Sequence, residues 1–204
     1  MIKLYIARLP ELMPSEPLAS LKRQNEIDRT SNERVKREKY YAWRLLEYAI
    51  KDSFGLDIGN ICFEKTDNGK WICSECEFSI SHSKDALAVA VSDSTVGVDI
   101  ERIRIKRAEK MADYILTESE REKYDALTEP EKEEHLILKW CQKEAIFKLL
   151  GKDVFKPSEI NTADFCCFND SIELCEEKYI FAVAAEGEGE DIAFSLVELD
   201  KIKF

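Results

Sequence analysis

The stretch Ala86-Leu87-Ala88-Val89-Ala90-Val91-Ser92-Asp93-Ser94-Thr95-Val96-Gly97-Val98-Asp99-Ile100-Glu101 decides the fold. Residues 86–91 are a continuous apolar run, the pattern of a strand buried on both faces. Asp93-Ser94-Thr95 is turn material. From Val96 the pattern alternates, with Val98 and Ile100 on one face and Asp99 and Glu101 on the other. Upstream, Phe78-Ser79-Ile80-Ser81 has the same extended character. Residues 78–101 are therefore expected to form strands of one antiparallel sheet.

Working outward, each side carries one long helix. Thr30-Ser31-Asn32-Glu33 has the form of a capping box, with Thr30 as N-cap. Val35, Lys39, Ala42, Trp43, Leu46 and Ile50 follow at helical spacing, and Gly55 stands where helices stop. This predicts a helix over about 32–52. Thr117-Glu118-Ser119-Glu120 is a second capping box, Pro130 suits a first helical turn, and 131–150 is helical up to Gly151. The tail returns to strands at 163–168, 171–174, 179–185 and 192–199. Residues 86–91 with 98–101 resemble 179–184 with 194–198, and each set follows a long helix. The fold class expected is α+β: two similar halves, each an antiparallel sheet packed on a long helix, related by a pseudo-twofold. The halves are 1–96 and 97–204, with a ligand cleft between them.

A chain of 204 residues suits one large domain or two small ones, and 45% hydrophobic residues suffice for a core. The net charge of −11 argues against a general nucleic-acid binder, which needs a basic face. No apolar run approaches signal-peptide or membrane-span length, so a cytoplasmic protein that does not engage membranes is expected. Seven cysteines in such a chain read as reduced thiols. Cys73 and Cys76 form one C-x-x-C, half of the ligand set of a structural zinc site.

Three groups of residues carry candidate chemistry. Asp99 and Glu101, two apart on a strand, project like charges from one face, and a bridging cation relieves their repulsion. All-oxygen donors suit Mg²⁺, which accepts one or two carboxylates together with substrate phosphates. On that reading, removing Asp99 should leave the melting temperature unchanged or raise it. Trp140, Lys143, Glu144, Phe147 and Lys148 share one face of the second helix or its border. The third group is Ser79-Ile80-Ser81-His82-Ser83, with three hydroxyls around one of only two histidines. Taken singly, each has a plainer reading: solvated acids on a strand, a helix with a Glu144–Lys148 pair, and a polar turn.

In order and spacing, Phe78-Ser79-Ile80-Ser81-His82-Ser83, Val96-Gly97-Val98-Asp99-Ile100-Glu101 and Trp140-Cys141-Gln142-Lys143-Glu144-Ala145 with Lys148 resemble the signature of the 4′-phosphopantetheinyl transferases. The length and two-half layout resemble the monomeric type that activates peptide synthetases. The resemblance implies transfer of the 4′-phosphopantetheine group of coenzyme A onto a serine of an apo acyl or peptidyl carrier protein, with release of 3′,5′-ADP. It implies that Asp99, Glu101 and Glu144 hold Mg²⁺. It places Lys148, Ser81 and His82 on coenzyme A phosphates, and the functional reading of the helix face gives Lys143 to phosphate as well. Gly69-Lys70 is similar to the family's Gly-Lys-Pro segment with Trp71 in place of proline, which puts Lys70 near the nucleotide. Arg44 matches a 3′-phosphate arginine, and Arg34, Lys36 or Arg37 stand in for basic residues found further upstream in the family. Glu120 matches an acid near the site. Glu144, Glu120 and a metal-bound water remain alternatives for the general base.

The protein partner expected is an acidic carrier. Arg102-Ile103-Arg104-Ile105-Lys106-Arg107, just after the metal pair, combines four positive charges with two isoleucines and is the candidate docking segment. The competing readings are a non-catalytic module that binds coenzyme A or a carrier, and a small zinc-stabilised interaction protein built around Cys73 and Cys76.

Overall fold

The computed structural model describes residues 1–104, 108–187 and 191–202. The first half runs β1 (Ile2–Arg8), α1 (Leu21–Asp28), α2 (Glu33–Phe54), the short hairpin β2 (Glu64–Lys65) and β3 (Trp71–Ile72), then β4 (Glu77–Ser83) and β5 (Ala86–Ser92). The second half runs β6 (Val96–Arg102), α3 (Ala108–Ile115), α4 (Glu118–Asp125), α5 (Glu129–Leu150), β7 (Cys166–Leu174), β8 (Glu177–Ala185) and β9 (Ile192–Val197).

The capping chemistry sets both long helices. Asn32, rather than Thr30, caps α2, accepting from the Arg34 and Val35 amides, and Gly55 ends it at φ 67°. Thr30 instead donates to the Glu26 carbonyl at the end of α1. The Thr117–Glu120 box opens α4, and Thr128 with Glu131 opens α5, which Gly151 closes at φ 59°. The expected strands 163–168 and 171–174 are one strand, β7, preceded by a single 3₁₀ turn over Thr162–Asp164.

Two sheets stack between the two helices. One has the order β4-β5-β1-β9 and the other β6-β8-β7. α2 covers the outer face of the first through Trp43, Leu46 and Ile50, and α5 covers the outer face of the second through Cys141, Ala145 and Leu149. Between the sheets lie Ile2, Leu4 and Ile6, Ala86, Ala88 and Ala90, Val96, Val98 and Ile100, and Phe181 and Val183. Each layer is one long helix on one sheet, as expected of the two halves.

Residues 78–101 do not share one sheet. β5 already has β4 on one edge and β1 on the other, so β6 cannot pair with β5. The Asp93–Thr95 turn carries β6 into the second sheet instead, paired with β8. The same happens in reverse at the end of the second half, where β9 leaves β8 and pairs in parallel with β1. The expectation of purely antiparallel sheets is corrected at that one pairing. β6 lies directly on α5 because Gly97 has no side chain. A Cβ there would collide with the Ala145 carbonyl oxygen and stand 2.7 Å from the Leu149 nitrogen.

Candidate active site

Strand alternation divides the Ser79–Ser83 motif between two tasks. Ser79, Ser81 and Ser83 point toward β6 and hold it with hydroxyls. Ser79 Oγ accepts from the Val98 amide at 3.0 Å and Ser83 Oγ from the Arg102 amide at 3.2 Å. Ser81 Oγ donates to Asp99 Oδ1 at 2.6 Å, and Ser83 Oγ donates to Glu101 Oε2 at 2.7 Å. Ile80 and His82, on the opposite face, line a cleft of about 520 Å³ at the boundary of the halves. Ser81 is therefore a buried support of Asp99, which corrects its expected place on a phosphate.

Asp99 is 3% exposed, and its Oδ2 is buried with no hydrogen-bond partner within range among the described residues. Lys148 Nζ donates to Asp99 Oδ1 at 2.8 Å and to the Val98 carbonyl at 3.0 Å. Burial would pull the Lys148 ammonium down, but Asp99 holds its proton more tightly than usual. Trp140 Nε1 donates to Glu101 Oε1 at 3.1 Å, so indole and Ser83 fix that carboxylate from both sides. Burial, and then the charge of Asp99, raise Glu101 above the usual carboxylate range. Burial pushes Glu144 up to about 7, with Asp99 and Glu101 adding to the rise and Lys148 opposing it. These acids form a set of hard oxygen donors short of positive charge, which fits a divalent cation. As placed, no three His, Cys, Asp or Glu side chains among the described residues stand close enough to hold one.

Lys143 and Glu120 take a different task from the one expected. Trp140, Glu144 and Lys148 follow one another at i+4 along α5, with Lys148 lining the cleft, whereas Lys143 bonds α3 and α4. Its ammonium is fully buried and donates to Glu120 Oε2 at 2.6 Å, the Ile115 carbonyl at 2.7 Å and the Pro157 carbonyl at 3.0 Å. Glu120 also closes the α4 capping box and accepts from Thr162 Oγ1 at 2.9 Å. Burial alone would raise Glu120, but Lys143 and these donors hold it near 2. A carboxyl so strongly acidic is a poor proton acceptor at neutral pH, and Lys143 has no donor left for a phosphate.

A stability prediction follows. The Glu120 pKa is lowered on folding from 4.5 to about 2, so its stabilisation is present above the unfolded value and is lost as pH falls from about 4.5 toward 2. Glu120→Gln should cost about 3–5 kcal/mol at neutral pH by leaving Lys143 buried without a counter-charge. It should also flatten the acid limb of the stability curve in that window. Urea melts between pH 2 and 7 test this. Full stability with lost activity would instead restore Glu120 to the catalytic set.

Arg44 is likewise internal. The residue is 6% exposed, its guanidinium paired with Glu47 at 2.8 Å and bonded to Tyr40 Oη and the Pro17 carbonyl. Arg34 bonds Glu38, and Arg37 bonds the Glu11 carbonyl. The cations that line the cleft are Arg23, Lys39, Lys70, Lys148 and Lys152, with one acid, Asp153. Arg23 carries no sequence signal because the short, mostly polar α1 has none, and Lys39 reads only as one position of the α2 stripe. Arg23 stacks on Trp43 and Trp71, and Glu26 binds Arg23 and Lys39 together. Lys152, next to the α5 cap, carries no motif signal. Lys70 arrives on the β2–β3 hairpin, whose Asn68 Nδ2 reaches across to the Gly151 carbonyl at 3.2 Å. Of the expected docking segment, Arg102 is paired with Glu177, Ile103 packs beside the α5 core and Arg104 is exposed. Ile105, Lys106 and Arg107 lie outside the described residues.

A lysine-rich cleft thus opens beside three carboxylates held by β6 and α5. The model of the 4′-phosphopantetheinyl transferase superfamily matches residues 95–196, half of the chain and the span that carries those carboxylates. The chain belongs to this superfamily. It is also similar to two bacterial members. It is 34% identical over 118 residues to the 4′-phosphopantetheinyl transferase psf-1 of Bacillus pumilus, covering 54% of this chain and 48% of that one. It is 31% identical over 99 residues to the 4′-phosphopantetheinyl transferase gsp of Aneurinibacillus migulanus, covering 48% and 41%. The chain spans about half the length of the curated relatives it matches. Within this transferase family assignment, no helix among the described residues is long and apolar enough to cross a membrane.

Proposed function

We propose that this transferase moves the 4′-phosphopantetheine group of coenzyme A onto a serine of an apo acyl or peptidyl carrier protein with the help of Mg²⁺, releasing 3′,5′-ADP, and that it works as a cytoplasmic monomer. The observation that carries this reading is a cationic cleft whose Lys148 is bonded at 2.8 Å to Asp99, the strand neighbour of Glu101, in a chain whose net charge is −11. A cleft of this size and charge suits a ligand with several phosphates.

Asp99, Glu101 and Glu144 would hold the ion. Mg²⁺ so held supplies charge neutralisation at the phosphoryl oxygens. Lys148, already at Asp99, is placed to stabilise the departing phosphate, and Lys70, Lys152 and His82 to bind the rest of the phosphates. For the proton of the attacking serine, Glu144 and a metal-bound water are the alternatives, since Glu120, held near 2 by Lys143, is a poor acceptor. The carrier is proposed to meet the basic segment that begins at Arg102, with Arg104 steering an acidic surface.

Incubation with coenzyme A, Mg²⁺ and a panel of apo carriers is the direct test. The expected result is a carrier heavier by one phosphopantetheine, with capture slower at high salt because screening weakens the steering. Coenzyme A binding with no mass gain on any carrier would favour a binding module instead. Lys70→Ala should raise KM for coenzyme A by about 10-fold or more with kcat nearly held, as expected for one lost charge-assisted hydrogen bond. Arg44→Ala should leave the ratio of KM values for coenzyme A and dephospho-coenzyme A unchanged, because Arg44 is spent on Glu47. A selective loss of coenzyme A affinity would return Arg44 to the 3′-phosphate.

A further inference from the structure

Cys73-Ser74-Glu75-Cys76 has no task in the transfer reaction. It is the root of the β2–β3 hairpin, the short link between Ile72 and the start of β4 at Glu77. That hairpin supplies Asn68, Gly69, Lys70 and Trp71 to the cleft. At its tip, one exposed hydrogen bond from Asn68 to the Gly151 carbonyl crosses to the end of α5. At its root, the Cys73 and Cys76 sulfurs are 3.8 Å apart, and Cys73 Sγ also donates to the Cys76 carbonyl at 3.4 Å. Cys73 is partly exposed, whereas Cys76 is 8% exposed. A small rotation of the two side chains would bring the sulfurs into bonding contact without moving the hairpin.

We infer that Cys73 and Cys76 are a thiol–disulfide exchange site that takes a low-molecular-weight disulfide and, once bridged, fixes the β2–β3 hairpin over the cleft. Cys73 is the attacking group because it is the accessible one. The Cys76 thiol hydrogen-bonds it, which lowers its pKa to about 7, while the same contact pushes the Cys76 thiol up. The Cys73 thiolate attacks one sulfur of the small disulfide; that bond breaks and one small thiol leaves with its electron pair. The Cys76 sulfur, giving up its proton, then attacks Cys73 Sγ and expels the second small thiol. The two protein thiols lose two electrons and two protons, and the small disulfide gains both. The bridge closes a loop of four residues, so it restrains the hairpin root locally and leaves the sheets alone.

The test uses the whole protein and oxidised glutathione, followed by intact mass and peptide mapping. The wild type should lose two thiols, both in the 73–76 peptide, and keep no adduct there. Cys76→Ser should trap a glutathione adduct on Cys73, and Cys73→Ser should trap none in this segment. In the oxidised wild type, exchange of the Thr66 and Gly69 amides, which close the hairpin turn, should slow by about tenfold as its opening is restrained. The inference is overturned if adducts collect only on the exposed Cys62, Cys166 and Cys175, or if the bridge forms and hairpin exchange does not change. Mapping and exchange on the wild type decide the matter even if a serine variant folds poorly. Neither readout uses transfer activity, so failure here is distinct from failure of the transferase reading.

Discussion

Gly97→Ala is expected to lower the melting temperature by at least about 10 °C, the shift that about 3–4 kcal/mol produces in a chain of this size. Most overpacked sites relieve themselves by rotating a neighbouring side chain. Gly97 has no such outlet, because its neighbours are the Ala145 carbonyl and the Leu149 nitrogen of the α5 backbone. The helix itself must move away from β6. That shift would draw Glu144 and Lys148 away from Asp99, so the variant should lose activity even at temperatures where it is folded. Gly59→Ala is the control, since the only atom near its added carbon is Asp57 Oδ1 at 3.4 Å. Thermal melts of the two variants check the expectation. A Gly97→Ala protein as stable as Gly59→Ala would mean that α5 and β6 are not in backbone contact.

Asp99→Ala should reduce kcat by at least about 10²-fold, the scale of lost transition-state charge stabilisation. It should also lower the melting temperature, against the expectation from like-charge spacing. In the fold, the nearest strong charge to Asp99 is Lys148 rather than Glu101, and Ser81 and Lys148 both donate to one of its oxygens. Removing the carboxylate strands a lysine that is 26% exposed, which we put at about 2 kcal/mol, below the cost for a fully buried partner. The double variant Asp99→Ala/Lys148→Ala should recover part of that stability and none of the activity. If Asp99→Ala turns over at the wild-type rate with Mg²⁺ present, the carboxylate does not serve the reaction.

The strands and both long helices were legible because period and capping are local properties. The motif residues Asp99, Glu101, Glu144, Lys148 and His82 were legible for a related reason: strand and helix geometry place them on definite faces. Direction within a crowded face was not. Lys143 is adjacent in sequence to Glu144 but turns toward Glu120, and only the packing of α3 and α4 against α5 decides that. Arg44 sits in a matched motif but finds Glu47 one helical turn away. α1 was hidden because its eight residues carry few apolar side chains, so Arg23 went unnoticed, while Lys39 read as one position of the α2 stripe and gave no sign that it faces the cleft. Sheet membership was hidden as well, since β6 and β9 look like continuations of the hairpins before them. An edge already occupied by another strand leaves no trace in the sequence of the strand it turns away.

That exchange of strands bears on how the chain is made. β1 receives its outer neighbour only when β9 arrives, and Ile2 then pairs with Ile192. At about 5–20 residues per second, on the order of ten seconds of synthesis separates the end of β5 from the start of β9. Through that interval the nascent first sheet presents an open edge and an uncovered inner face of Ile2, Leu4 and Ile6. Pairing so distant in sequence is intrinsically slow. Refolding from denaturant should therefore share one late step between the two halves, and ribosome-bound chains shorter than β9 should be the species that protease and chaperone recognise.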